Sequence, residues 1–104
     1  MRIELKNLET ALRDAGELRL AFAAANACEG TDEELYAYLL SNDLWGGSGS
    51  VADQAGIGTD RGHKRKAIEA ALISLGNAQI KNEIVNVRTA GWVQAFEYWK
   101  CSNI

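Results

Sequence analysis

Leu5, Leu8, Leu12, Ala15, Leu18, Phe22 and Ala25 recur at steps of three or four residues. That is the period of one helix face, sustained for longer than a strand or loop would imitate. The first quarter of the chain is therefore bound to helix, and an apolar helix face needs other elements to cover it. The stripe continues across Gly16, which leaves either one helix or two in succession. No proline occurs in the 104 residues, where average usage would place about five. Proline punctuates loops and strand edges, so its absence extends the helical expectation to the whole chain.

The remaining elements follow from local signals. The segment AFAAANAC presents small side chains that permit close helix approach, and Gly30 is a good C-terminal stop. Thr31 followed by Glu34 reads as a capping box. It starts a helix through about Leu40 that buries Leu35, Tyr38 and Leu39. Further on, Thr59 or Asp60 caps a third long helix, with Ile68, Leu72 and Leu75 on its apolar face and Ala78 and Gln79 extending it. Gly76 leaves the end of that helix open. Val85 and Val87 alternate within Glu83 to Arg88, as Ile3 and Leu5 do within Arg2 to Lys6, so a brief strand pairing is expected there. A last helix runs from near Thr89 to about Cys101. The fold expected is mainly α: one domain over 1–104, a compact bundle of about four helices with at most one short two-stranded β pairing. The apolar fraction of 47% suits a folded core of this size.

Charge and cysteine content narrow the function classes. The net charge of −3 argues against general nucleic-acid affinity. Residues 1–52 hold four basic and nine acidic side chains, whereas 53–104 hold seven and five. Glu29, Asp32, Glu33 and Glu34 form the acidic cluster, and Arg61, Lys64, Arg65 and Lys66 the basic one. Two solvated helix starts are the simpler reading. The functional reading is a dipolar surface that pairs subunits or steers a charged partner. Cys28 and Cys101 make no C-x-x-C pair and His63 is the sole histidine, so no metal site, disulfide framework or cofactor is expected. MRIELKNLE is too charged for a signal peptide, and the run Leu20 to Ala25 is too short to cross a membrane. A cytoplasmic protein without membrane partners is expected.

Six of the ten glycines fall between Gly46 and Gly62. Neither Gly46 nor Gly58 opens the G-x-x-x-x-G-K-[ST] of a phosphate loop, and Gly56, Gly58 and Gly62 miss the dinucleotide spacing by one residue. Ser50 to Ala55, ahead of them, reads as a helical turn or loop and not as the buried strand that fingerprint follows. The front half of the stretch is thus a connector. Its back half places cations where a helix dipole opposes them. Gly58, Thr59, Arg61, His63, Lys64 and Arg65 form a candidate anion site, because free amides at a helix start attract negative charge. Ala52, Gly56 and Ile57 resemble the turn of the helix-turn-helix DNA-binding family. The resemblance covers under ten residues, and Gly62 and Arg65 stand where that family buries apolar side chains. Ser48, Ser50, Asp53 and His63 contain triad residue types without the geometry that defines a triad. No enzyme is expected.

Trp92, Phe96 and Trp99 stand at i, i+4 and i+7 on the last helix. Such a stripe is either the helix's core contact or a partner interface, where aromatics concentrate binding energy. Trp45 anchors the glycine segment against the same surface, and with the other three it makes the candidate interface. Leu44 to Ala55 (LWGGSGSVADQA) and Val85 to Trp92 (VNVRTAGW) resemble segments of short bacterial proteins of the mobile gene-cassette type. The resemblance implies a bacterial cytosolic setting and no particular activity. The chain therefore reads as a small non-enzymatic accessory or regulatory protein acting through protein contacts, as a homodimer or with another chain. The alternative is an anion or nucleic-acid binding module using residues 58–66.

Overall fold

The computed structural model describes residues 1–57 and 63–101. In it Gly16 divides the N-terminal stripe into α1 (Arg2–Asp14) and α2 (Leu18–Glu29). Gly16 has φ +81°, a left-handed conformation that only glycine adopts without steric penalty. Its N–H donates to the Arg13 carbonyl at 3.0 Å and that of Glu17 to Leu12 at 2.9 Å. These two bonds are the Schellman pattern that satisfies the last carbonyls of a helix. The reversal also resets the helical phase. Leu5, Leu8 and Leu12 are buried as expected, but Leu18 and Phe22 are 60% and 66% exposed. In their place α2 buries Leu20, Ala21, Ala24 and Ala27.

Four further helices follow: α3 (Asp32–Leu39), α4 (Val51–Ile57), α5 (His63–Lys81) and α6 (Thr89–Cys101). Among the described residues the count is thus six, not four, because Gly16 splits one helix and Ser50 starts an extra one. The Ser50 hydroxyl accepts from the Asp53 N–H at 3.0 Å while the Asp53 carboxylate accepts from the Gly49 N–H at 3.0 Å. Hydroxyl and carboxylate thereby satisfy free amides at the start of α4. The capping box of α3 forms as expected, with Thr31 and Glu34 bonded reciprocally. The cap expected for α5 at Thr59 or Asp60 lies outside the described residues.

No strand occurs among the described residues, so the expected pairing of 2–6 with 83–88 is not formed. Arg2 to Lys6 belong to α1, since Leu5 joins Leu8 and Leu12 on one buried face only at helical steps. Residues 84–88 instead form an irregular connection in which Val87 is 98% exposed. Gly76 does not end α5. A Cβ there would lie 2.2 Å from Val93 Cγ2 and 3.2 Å from the Trp45 ring. Glycine thus permits the close crossing of α5 and α6.

One apolar cluster joins all six helices. α1 packs on α2 and α5, α5 on α4 and α6, and α2 on α3. Leu72 and Leu75 of α5, fully buried together with Trp45 and Phe96, occupy the middle of this cluster.

Candidate interaction site

Two side-chain amides set the position of α6, one half-buried and one fully buried. Asn86 lies just before it and donates through Nδ2 to the carbonyls of Ser41 at 3.2 Å and Trp45 at 2.9 Å. Its Oδ1 accepts from the Arg88 and Thr89 N–H groups at 2.8 and 3.1 Å. One side chain thus caps the start of α6 and ties it to the end of α3 and the loop beyond. Gln79, fully buried on α5, accepts from Trp45 Nε1 at 2.8 Å. Its Nε2 donates to the carbonyls of Leu39 and Ile84, both at 2.9 Å. Buried polar groups left without such partners are costly, so these contacts fix one arrangement of α3, α5 and α6.

On this support the aromatic residues of α6 form a continuous series. Trp92 stacks on Phe96 with ring centroids 5.5 Å apart, and Phe96 meets Trp99 edge-on at 5.6 Å. Both are favourable aromatic geometries. Trp92 Nε1 donates to the Gly46 carbonyl at 3.0 Å, which holds the start of the glycine-rich segment against α6.

The four aromatics expected at an interface are divided by depth. Trp45 and Phe96 are fully buried within the chain, so neither has surface to offer a partner. Their place in the interface is corrected: Trp45 fills the space left by Gly76, and Phe96 faces the α5–α6 contact. Trp92 and Trp99 are half-buried and reach the surface. Arg88, Trp92, Ala95 and Trp99 follow each other at steps of four, three and four, and so share one flank of α6. Arg88, Gly91 and Trp92 line a shallow open depression on it. A side chain at Gly91 would meet nothing within 4 Å. Tyr98, 66% exposed, stands nearby on the outer side of α6.

The candidate anion site is placed only in part. Gly58, Thr59 and Arg61 lie outside the described residues, as does the side chain of His63, which opens α5. Lys64 is exposed. Arg65 Nε binds the buried Glu69 carboxylate at 3.0 Å, so this cation is already engaged within α5. The acidic cluster is partly engaged too. Asp32 pairs with Arg2 at 2.9 Å, and Glu34 closes the α3 cap. The Thr31 N–H on that carboxylate holds Glu34 below the usual carboxylate range. Cys28, half-buried, and Cys101, exposed, are both free thiols.

Asn86 and Gln79 were missed as organising residues. Gln79 carries a readable signal, a polar residue at the apolar step i+4 from Leu75. Asn86 carries only the signal of an asparagine just before a helix, because the carbonyls it ties to α6 lie more than forty positions away in sequence. No protein-family model, curated protein or solved structure matches the chain.

Proposed function

We propose that this chain is a small non-enzymatic accessory or regulatory protein that works through protein contacts on the flank of α6. The observation that carries this reading is the pair Trp92 and Trp99, both half-buried on one flank of a helix whose inner face is already packed. Large aromatic rings that are partly desolvated and rigidly held lose little entropy on association, which is why they concentrate binding energy. Arg88 beside Trp92 supplies a polar rim, and Tyr98 adds a further ring. A second copy of the chain is the first partner to test. No helix among the described residues is long and apolar enough to cross a membrane.

Light scattering across a concentration series tests the reading without disturbing the core, if the exposed rim is changed and the tryptophans are kept. Arg88→Glu and Tyr98→Asp should weaken self-association about tenfold each, roughly 1.4 kcal/mol, with the melting temperature unchanged. A strict monomer, together with equal capture of host proteins by wild type and by Tyr98→Asp, would remove the proposal.

A further inference from the structure

A second uncovered face lies on α3. Leu35 and Leu39 are buried in the core, and at helical steps Glu33, Tyr36, Ala37 and Leu40 share the opposite side. Leu40 keeps helical backbone angles at the C-cap, so it continues the stripe. All four residues are exposed, and Tyr36 and Leu40 are large apolar side chains left in water. Of the three carboxylates in the first turn, Asp32 pairs with Arg2 and Glu34 closes the cap. Glu33 is in no ion pair among the described residues.

The flank of α6 carries the converse pattern. Arg88, at its start, is exposed and lies along Gly47, where a Cβ would stand 3.4 Å from Arg88 Nη1. It too is in no ion pair among the described residues. Arg88, Gly91 and Trp92 line a depression of about 280 Å³. A cavity of about 150 Å³ holds benzene, so there is room here for a phenol ring. Further along, the small Ala95 stands between Trp92 and Trp99.

Laid parallel in a single register, the two stripes match. With Glu33 over Arg88, Tyr36 falls over Gly91, Ala37 over Trp92 and Leu40 over Ala95, because both stripes use the same steps along the helix. Each pair sets acid against base or large against small, which is the interdigitation that packed helices need. The flank residues Arg88, Trp92, Ala95 and Trp99 include no carboxylate, so two α6 flanks together leave Arg88 unmatched, whereas α3 supplies one. In the single chain the α3 stripe lies in water, so the contact belongs between copies.

We infer that the α6 flank of one copy receives the outer side of α3 from a second copy of this chain. Glu33 of the second copy pairs with Arg88, its Tyr36 enters the depression, and its Leu40 settles on Ala95 between the two tryptophans. This rests on the reading of the α6 flank as the interface and adds what occupies it.

Sedimentation velocity over a concentration series tests the pairing with charge reversals. Arg88→Glu alone and Glu33→Arg alone should each weaken self-association about tenfold, with circular dichroism unchanged, since neither side chain has an ion-pair partner in the fold. An equimolar mixture of the two variants should recover wild-type association, because each offers the other an opposite charge. Tyr36→Ser, which leaves every charge in place, should weaken association as well. If Arg88→Glu weakens association and Glu33→Arg does not, or if the mixture fails to recover, α3 is not the occupant and the α6 reading stands without it. If Arg88→Glu has no effect, the α6 reading falls and this pairing with it. A monomer at every concentration overturns the pairing of copies and leaves the α6 flank to a different protein.

Discussion

Glu9 shows how a single charge is accommodated inside this helical chain. It is only 4% exposed on α1, and its carboxylate accepts from Lys6 at 2.8 Å and Arg13 at 2.7 Å. The hydrogen bond from Lys6, then that from Arg13, lowers its pKa. A carboxylate with a depressed folded pKa contributes stability above its unfolded value, lost as pH falls through the folded one. Urea midpoints should therefore drop on acidification below about pH 4.3, and Glu9→Gln should be weaker at neutral pH with a shallower acid loss. Equal acid slopes in the two proteins would show that Glu9 contributes nothing. Gln79 is the more demanding case. Gln79→Leu would strip partners from the Trp45 N–H and two carbonyls at once. Chemical denaturation should register a loss of about 3 kcal/mol, the upper end for one buried unsatisfied group. The ion pair of Glu9 is legible in sequence, as i,i+3 and i,i+4 spacing. Gln79 is legible only as a polar residue on an apolar face, since what it bonds to is decided by the fold.

At the scale of elements, the Thr31 cap was readable and the crossings were not. Thr31 and Glu34 are three positions apart, and their bonds of 2.9 and 3.1 Å depend on nothing distant. Thr31→Ala should cost about 1 kcal/mol, seen as a lower thermal midpoint. Gly76 is the opposite case. Helix propensity alone makes Gly76→Ala stabilising by about 1 kcal/mol. The added methyl would press on Val93 and the Trp45 ring, both fully or nearly fully buried. Overpacking of that kind costs about 1–3 kcal/mol, so the substitution should destabilise, and Val93→Ala in the same chain should recover part of the loss. A more stable Gly76→Ala protein would mean that α5 and α6 cross less closely than described. The expected strand at 83–88 failed for a related reason. Alternation of Val85 and Val87 over so few residues cannot be told from a connection whose shape Asn86 imposes through distant carbonyls.

Across the whole molecule, one apolar cluster reaches from Leu5 to Phe96, with no part of the described chain holding a core of its own. Unfolding should therefore be two-state. Tryptophan fluorescence, which reports positions 45, 92 and 99, should give the same midpoint as far-ultraviolet circular dichroism, which reports all six helices. Separate midpoints would show α5 and α6 opening apart from the α1–α2 hairpin. The sequence by itself determined the helical class, the Thr31 cap, the inner face of α1 and the span of α6, because each rests on residues within a turn or two of one another. Tertiary structure alone decided that α2 turns Ala21, Ala24 and Ala27 inward and leaves Phe22 in water. It also decided that Gly76 lies under Trp45, and that of four candidate interface aromatics only Trp92 and Trp99 reach the surface. Those outcomes depend on which helix faces meet, a contest over shared buried area among residues far apart in the chain.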